Sequence, residues 1–244
     1  MLDQRIRDGV IRRAIGKWLN AGVMEDGVVS YPKQGTPQGG VISPLLSNIY
    51  LHEVLDTWFE DEVKPRLAGR ASMVRYADDA VLCFEHEADA RRVLAVLAKR
   101  LARFGLELNA DKTQLLDFRR PNRRDDEREP TQGARGFDTL GFTHYWGRSR
   151  TGRWIVKRKT AASRFSRALT RVAQWCRTHR HRSVRDQHKA LSRQLKGHDA
   201  YFGITGNAPA LSRFHREVER AWRKWLGRRS HHADMNWQRF TRLL

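Results

Sequence analysis

The sequence predicts an α+β fold in the first part of the chain, followed by an all-α C-terminal domain. Up to about residue 120, helical spacing of apolar residues alternates with short strand-like runs, whereas from residue 160 onward the spacing is helical. The charge is divided in the same way. Residues 1–120 hold 18 Lys and Arg against 17 Asp and Glu, and residues 121–244 hold 29 against 10. We therefore expect a nearly neutral α+β part and a strongly basic helical part.

The first part contains three predicted helices, over residues 9–21, 44–62 and 87–104. Gly22 and Gly105 are placed to end the first and the last of them. In the second helix the inward side chains should be Leu45, Ile49, Val54 and Trp58. Strand-like runs cover residues 28–31, 72–84, 106–108 and 114–118. The run over 72–84 is long enough to fold back on itself as a hairpin.

The second part begins with a predicted exposed loop over residues 119–136, which has no periodicity, and two strand-like runs, 137–145 and 154–156. The helices that follow carry two apolar stripes, Phe165, Leu169, Val172 and Cys176, and Leu211, Phe214, Val218, Trp222 and Trp225. Trp222 and Trp225 could stack on bases, but their spacing favours the core. The two cysteines, Cys83 and Cys176, form no disulfide or zinc pattern, and we expect both to be buried.

The turn of the predicted hairpin, Tyr76-Ala77-Asp78-Asp79, is the most unusual segment of the chain, and we call it the carboxylate turn. A tight hairpin favours Asn-Gly, Asp-Gly or Gly-Gly at its tip because these residues tolerate positive φ, whereas adjacent carboxylates repel each other. A local rule that is broken without structural gain points to function. Carboxylate oxygens suit a hard cation such as Mg²⁺. The alternative is an acidic, solvated turn.

A glycine-rich loop over residues 34–46 leads into the second helix. Ser43 is suited to cap that helix, and Pro44 suits its first turn. Glycines let a backbone come close to a ligand, and glutamine offers both a donor and an acceptor. The loop therefore favours a surface on which a nucleotide or a base pair rests. The alternative is a plain connector.

Four segments together resemble the motifs of reverse transcriptases in their usual order: residues 34–46, 76–79, 105–113 and 140–142. The continuation through residues 47–51 is most similar to reverse transcriptases encoded by group II introns, and residues 201–207 and 225–230 resemble their maturase-specific domain. The resemblance implies a palm remnant with a catalytic β-hairpin over residues 1–120. It further implies a connecting loop with strands over residues 121–158, and a thumb-like, helical, maturase-specific domain over residues 159–244.

The resemblance also implies an activity, RNA-directed DNA synthesis by two-metal nucleotidyl transfer in a mobile element, with intron RNA binding for splicing. Mg²⁺ would be the cofactor, and intron RNA, RNA/DNA hybrid and dNTPs the partners. The catalytic residues would be Asp78 and Asp79, both metal ligands, and Lys112, which would support the leaving pyrophosphate. Lys112 as an ordinary surface lysine is the alternative. Contacts to nucleotide, template or primer terminus would come from Pro37, Gln38, Gly39, Tyr76 and Ala77.

One family feature has no counterpart in the sequence. Reverse transcriptases carry another catalytic aspartate on an earlier strand, but Asp3 and Asp8 lie in a helical context and do not match it. A fingers region is not recognisable either. We therefore expect the chain to hold the C-terminal part of a palm. The alternative function is a catalytically inactive maturase fragment that binds RNA and assists splicing.

The formal net charge of +20 indicates a polyanionic partner. The cations opposite the two apolar stripes are the predicted RNA contacts: Arg164, Arg167, Arg171, Arg213, Arg216, Arg220, Arg223 and Lys224. A basic helix face is often only solvated, but the balancing acids are largely missing here. No apolar run is long enough to span a bilayer and no signal peptide is visible, so we expect a cytoplasmic protein without membrane contact.

Overall fold

The structure is a computed structural model, and it describes residues 2–21, 23–25, 28–30, 42–121, 136–229 and 235–243. The chain divides into two compact units, Met1–Leu115 and Leu116–Leu244. The first unit mixes helices with antiparallel strands, and helices predominate in the second. The predicted α+β class is therefore confirmed. The division into functional domains at residues 120 and 158 stays a prediction.

The first unit has the elements α1 (Leu2–Arg5), α2 (Gly9–Leu19), β1 (Val23–Glu25), β2 (Val28–Ser30), α3 (Ser43–Leu51), β3 (Ala71–Tyr76), β4 (Asp79–Phe84) and α4 (Glu87–Ala102). β1 pairs with β2 and β3 with β4, both antiparallel. After α3 the helix continues without a break through π-helical segments His52–Asp56 and Trp58–Val63 and ends in a 3₁₀ turn, Lys64–Arg66.

The core of the first unit lies between this long helix and α4. Its buried side chains are Val54, Leu55, Trp58, Leu97 and Leu101. The Arg100 guanidinium lies over the rings of Trp58 and Phe104, 5.7 and 4.5 Å from their centroids, and its Nε donates to the Val54 carbonyl. Gly105 has a φ of +66°, which ends α4 as the sequence predicts.

Several predictions for the first unit are wrong. The cap position of α3 is Ile42, and Ser43 is the first helical residue. Leu45 is 60% exposed, and Cys83 is exposed because it faces outward on β4. Residues 106–108 and 114–118 form no strands, since no neighbouring strand pairs with them in the described part of the chain. The alternation of Leu106 and Leu108 instead fits their packing against the core.

The second unit has the elements β5 (Phe137–Thr139), β6 (Phe142–Arg148), β7 (Trp154–Thr160), α5 (Ala162–Thr178), α6 (Val184–Phe202), α7 (Ala208–Gly227) and α8 (Trp237–Leu243). The strands form one antiparallel sheet in the order β5-β6-β7. The predicted strand over 137–145 is thus a hairpin. Its turn residues Leu140 and Gly141 have φ values of +49° and +80°, as a type I′ turn requires.

The core of the second unit is formed by α5, α6, α7 and α8, and both predicted apolar stripes contribute to it. Its buried side chains are Val172, Cys176, Leu191, Phe214, Val218, Trp222, Leu226 and Phe240. Burial raises the pKa of the Cys176 thiol to about 12, so the group stays protonated. Trp222 belongs to this core, and its indole Nε1 donates to Gln187 Oε1 at 2.8 Å. None of the helices in the described ranges combines the length and apolarity that crossing a bilayer requires.

Candidate functional site

The carboxylate turn closes the β3–β4 hairpin with two residues, Ala77 and Asp78, between the paired residues Tyr76 and Asp79. Ala77 has a φ of +52°, and Asp78 does not share the positive φ. A positive φ at the first central position alone is the feature of a type II′ turn, where glycine is preferred. An alanine in that position is strained, and such strain is concentrated at functional sites.

Both carboxylates of the turn are exposed. Within the described residues, neither Asp78 nor Asp79 receives a side-chain hydrogen bond or forms an ion pair. Asp79 is the cross-strand partner of Tyr76, so both lie on the outer face of the hairpin. Tyr76 is 68% exposed and Val74 is 72% exposed on the same face. The hairpin therefore presents an apolar, aromatic surface directly beside an unpaired carboxylate.

Arg75 lies on the inner face of β3 and connects the turn to the long helix. Its guanidinium donates to both carboxylate oxygens of Asp56 at 2.6 Å, and Nη1 also donates to Asn48 Oδ1 and the Ala77 carbonyl. The hydrogen bond from Arg75 holds the pKa of the Asp56 carboxyl below its usual range. Sequence analysis missed these contacts, although a charged residue at an inward position of an apolar strand signals a buried partner.

A metal ion at the carboxylate turn would need several donor groups close together. In the part of the chain that the structure describes, no group of three or more His, Cys, Asp or Glu side chains is arranged to hold a metal. The two carboxylates of Asp78 and Asp79 are nevertheless exposed and unpaired, and ionised oxygens are the ligands that hard cations prefer. These residues therefore fit part of the ligand set of a divalent cation.

The other predicted nucleotide contacts are placed unevenly. Pro37, Gln38 and Gly39 lie outside the described residues. Lys112 is exposed in the same unit as the carboxylate turn, and no described hydrogen bond or ion pair joins its ammonium to the hairpin. Its own turn is held by Asn109, whose backbone carbonyl accepts from the Lys112 amide and from the Thr113 hydroxyl.

Seven of the eight predicted RNA-contacting cations are exposed, and we call them the basic face: Arg164, Arg167, Arg171, Arg213, Arg216, Arg220 and Lys224. The guanidinium of Arg213 on α7 lies over the ring of Phe165 on α5, 5.2 Å from its centroid. The cations of these two helices therefore lie on either side of the contact between α5 and α7. Arg220 forms an ion pair with Glu217. The expectation that Arg223 lies on the basic face is wrong, because Arg223 is half-buried. Its guanidinium lies over the Trp237 ring and donates to the Met235 carbonyl.

The segment between α6 and α7 is tied to the sheet of the second unit. Asn207 is buried, its Oδ1 accepts from the Thr160 amide at 2.9 Å, and its Nδ2 donates to Thr160 Oγ1 and to the Phe202 carbonyl, both at 2.8 Å. The Tyr201 hydroxyl donates to the Leu140 carbonyl at 2.8 Å. These contacts join two of the segments on which the sequence resemblance depends.

Comparison with known proteins gives several related sequences. The Group II intron-encoded protein LtrA of Lactococcus lactis subsp. cremoris is 44% identical over 22% of this chain, and the match covers 9% of that protein. The uncharacterized 91 kDa protein in the cob intron of Schizosaccharomyces pombe is 43% identical over 25% of this chain and 7% of its own length. Protein YkfC of Escherichia coli is 34% identical over 46% of this chain and 36% of its own length.

The matches to curated relatives therefore span much less than two thirds of those proteins. They confirm the predicted similarity to proteins encoded by group II introns. The family model described as "Reverse transcriptase (RNA-dependent DNA polymerase)" matches residues 3–144, which is more than half of the chain and includes the carboxylate turn. This chain belongs to the reverse transcriptase family.

Proposed function

We propose that the chain acts as a group II intron reverse transcriptase and maturase, which copies RNA into DNA and binds intron RNA during splicing. The observation that carries the proposal is the carboxylate turn: Asp78 and Asp79 are exposed, unpaired and adjacent within the region matched by the reverse transcriptase family. In the proposed reaction the 3′-hydroxyl oxygen of a primer attacks the α-phosphorus of a dNTP, and pyrophosphate leaves.

Asp78 and Asp79 would hold Mg²⁺ in this reaction. When bound, Mg²⁺ lowers the pKa of the attacking hydroxyl and neutralises charge on the phosphate oxygens. Asp78 is the proposed main ligand because it occupies the tip of the turn, and Asp79 would assist from the first position of β4. Exposure of both carboxylates supports these roles, since a carboxylate already bound to arginine would have to lose that partner first.

Other residues of the first unit would position the substrates. The ring of Tyr76 and the strained Ala77 would form the surface beneath the primer terminus, supported by the open outer face of the hairpin. Pro37, Gln38 and Gly39 would contact the templating or incoming nucleotide, by resemblance to the family. Lys112 would stabilise the departing pyrophosphate through its charge. Its exposure leaves the ammonium accessible to a phosphate group.

The basic face would bind the sugar-phosphate backbone of intron RNA or of the RNA/DNA hybrid. Support comes from the excess of 29 Lys and Arg over 10 Asp and Glu in residues 121–244. Phosphate contacts of this kind give affinity that depends on salt, while RNA shape and exposed bases supply selectivity. A maturase role requires only this binding, so it is independent of catalysis.

Primer extension on an RNA template tests the polymerase activity. Where the 244-residue chain incorporates dNTPs with Mg²⁺, Asp78→Ala should reduce incorporation by at least about 100-fold, as is usual when a group that stabilises transition-state charge is removed. Arg70→Ala is the control, since Arg70 contacts only Glu85 among the described residues. Extension by Asp78→Ala at the wild-type rate would contradict the assigned role.

The alternative function, RNA binding by a catalytically inactive maturase fragment, has its own signature. It predicts tight binding to a folded intron RNA that is equal in wild-type protein and Asp78→Ala, with no extension by either. The strongly basic second half is the observation that favours this function. Equal affinity for intron RNA and for an unrelated structured RNA would count against the maturase role.

A further inference from the structure

Among the described residues of the first unit, Arg75 donates the largest number of side-chain hydrogen bonds, four in all. Its side chain is only 11% exposed, although it is charged and lies in a hairpin of mostly apolar strands. Nε donates to Asp56 Oδ1 and Nη2 donates to Asp56 Oδ2, each at 2.6 Å. This two-point contact fixes the plane of the guanidinium, because both rigid groups must lie nearly coplanar.

The third nitrogen of the same guanidinium reaches the carboxylate turn. Nη1 donates to Asn48 Oδ1 at 2.9 Å and to the backbone carbonyl of Ala77 at 2.8 Å. The orientation fixed by Asp56 thus determines where the Nη1 hydrogens point. A lysine could keep the positive charge at this place, but one ammonium cannot reproduce the planar fork of donors.

The carbonyl that Arg75 holds belongs to the strained residue of the turn. Ala77 has a φ of +52°, a conformation that alanine adopts rarely. Such a backbone persists only where surrounding contacts determine it. The bond from Nη1 fixes the orientation of the peptide group between Ala77 and Asp78, and therefore the backbone that carries the Asp78 carboxylate.

The long helix is shaped to supply both partners of Arg75. Asp56 follows Asn48 by eight residues, which in an α-helix leaves the two side chains about 80° apart around the axis. The segment His52–Asp56 is π-helical. Its wider turn, with i→i+5 hydrogen bonds, rotates less per residue and brings Asp56 back toward the side of Asn48. π-Helical turns are frequent at functional sites, and this one serves the contact with Arg75.

We propose that Arg75 is a positioning residue that holds the Ala77 carbonyl and so aims the Asp78 carboxylate at the metal ion, with Asp56 and Asn48 fixing the guanidinium. The inference rests on the metal role given to Asp78 under the proposed function. In this role Arg75 would act through the backbone of the turn, without itself binding the metal or the nucleotide. The competing explanation is that the Arg75–Asp56 pair only attaches the hairpin to the helix.

The test reads the turn itself by NMR. The 244-residue chain is labelled with ¹³CH₃-alanine, the Ala77 methyl resonance is assigned with Ala77→Gly, and Mn²⁺ is titrated into the sample. In wild-type protein Mn²⁺ should broaden the Ala77 resonance before those of other alanines, and Asp78→Asn should remove this preference. Arg75→Lys should shift the Ala77 resonance without metal, and raise the Mn²⁺ concentration for half-broadening by about 10- to 100-fold.

Arg70→Lys is the matched control. Arg70 directly precedes β3, and its backbone amide and Nε donate to Glu85 Oε2, away from the turn. The control also exchanges a paired arginine for lysine, but it should leave the Ala77 resonance and the Mn²⁺ titration unchanged. If Arg75→Lys behaves like Arg70→Lys, the positioning role is wrong.

A milder variant covers the case in which Arg75→Lys fails to fold. Asn48→Ala removes one acceptor of Nη1 and leaves the pair with Asp56 intact. It should shift the Ala77 resonance, and an unchanged spectrum would contradict the proposal. The thermal midpoint of each variant is recorded beside the spectra, because a purely structural role lowers it without moving the Mn²⁺ titration.

The outcome for Arg75 can be separated from the outcome for the proposed function. If Mn²⁺ does not broaden Ala77 in wild-type protein, the metal role of Asp78 is wrong, and so is the aiming of a metal ligand by Arg75. If broadening occurs but primer extension does not, the polymerase activity fails while the positioning role is still decided by Arg75→Lys. Where extension is measurable, Arg75→Lys should lower kcat by about 10- to 100-fold and change the KM for dNTP little.

Discussion

Two residues with unfavourable backbone conformations form the tips of the two hairpins that the family motifs contain. Ala77 has positive φ in the carboxylate turn, and Leu140 has positive φ in the turn between β5 and β6. Each backbone carbonyl accepts a hydrogen bond from a side chain: that of Ala77 from Arg75, which Asp56 and Asn48 hold in place, and that of Leu140 from the Tyr201 hydroxyl. In both turns the chain therefore keeps a conformation that the local sequence disfavours, and a side-chain hydrogen bond to the turn carbonyl supports it.

The Leu140 turn can be improved without touching its tertiary contact. A type I′ turn favours Asn-Gly, and asparagine tolerates positive φ better than leucine. Leu140 is 40% exposed and Tyr201 binds only its backbone carbonyl. We expect Leu140→Asn to stabilise the protein by about 0.5–1 kcal/mol in urea unfolding, which is part of the roughly 1–2 kcal/mol that the left-handed conformation costs an ordinary L-residue. A loss of stability would show that packing of the Leu140 side chain outweighs the strain.

Gly141→Ala serves as the opposite control in the same turn. Gly141 has a φ of +80°, and an added Cβ would lie 3.5 Å from the Phe202 ring, so space is not the obstacle. The backbone conformation alone should make this variant less stable by about 1 kcal/mol or more. Equal stability of Gly141→Ala and wild-type protein would contradict the type I′ assignment.

His198 should make the stability of the second unit depend on pH. Its ring stacks on Phe214 and lies tilted against Phe202. Burial is the main cause that lowers its pKa, Asp199 raises the pKa, and His215 lowers it further. Because the pKa in the folded state lies below the unfolded value of about 6.5, protonation favours the unfolded chain. The stabilising contribution is complete above about pH 6.5 and is lost as the pH falls through the lowered pKa.

Thermal midpoints of wild-type protein and His198→Phe between about pH 7.5 and about pH 5.5 test this effect. Phenylalanine keeps the ring stacking and also removes the buried Nε2, which has no hydrogen-bond partner. We expect the midpoint of His198→Phe to fall less with pH than that of the wild type. The exposed His181→Gln should keep the wild-type profile, and equal slopes for wild type and His198→Phe would refute the prediction. Burial also lowers the pKa of His144, which therefore contributes equally to the pH dependence of the thermal midpoint in all three proteins.

At the scale of elements, buried polar side chains fix the connections between neighbouring helices and strands. Asn207 ties the end of β7 to the connection between α6 and α7. Gln187 on α6 accepts from the Trp222 indole and donates to the carbonyls of Arg180 and Arg182, which fixes the connection between α5 and α6. Each of these amides uses both its oxygen and its nitrogen, so burial leaves neither group unsatisfied.

Removal of the Asn207 side chain should destabilise the protein strongly. Asn207→Ala leaves the buried Thr160 amide without its acceptor, at about 1–3 kcal/mol. It also removes the bonds to Thr160 Oγ1 and to the Phe202 carbonyl, which still accepts from the Ile204 amide. We expect a loss of about 2–4 kcal/mol in urea unfolding with an unchanged m-value. Thr160→Val removes only the hydroxyl contact and should cost about 1 kcal/mol. Equal losses for the two variants would mean that Asn207 does not bridge the elements.

Elements with a strong helical period could be predicted from the sequence, because α4, α5 and α7 place their apolar residues on one face. The hairpin of the carboxylate turn was also predictable, since its strands flank a short polar tip. The strand predicted over residues 106–108 is wrong because alternation of apolar and polar residues does not reveal whether a partner strand exists. The contacts of Arg75 with Asn48 and Asp56 could not be predicted, since they join residues 27 and 19 positions away.

At the scale of the whole molecule, charge distinguishes the two parts of the sequence. Residues 1–120 are nearly neutral, whereas 121–244 hold 29 Lys and Arg against 10 Asp and Glu. In the described part of the second unit few carboxylates offset this excess: Asp117 pairs with Arg119, Glu217 with Arg220, and Asp199 with His215. The remaining positive charge should repel itself unless an anion is bound.

The basic face should therefore dominate nucleic-acid binding, and the salt dependence of affinity measures its share. The dissociation constant for a structured RNA is determined over a range of KCl concentrations by fluorescence anisotropy. Each phosphate contact that is lost should reduce the slope of log affinity against log salt by about 1. The triple variant Arg167→Gln, Arg171→Gln and Arg216→Gln should thus reduce the slope by about 3.

The matched control is the triple variant Arg70→Gln, Arg91→Gln and Arg103→Gln, which removes the same charge from exposed positions of the first unit. Its slope should change much less. Equal reductions would show that net charge, and not the helices of the second unit, governs binding.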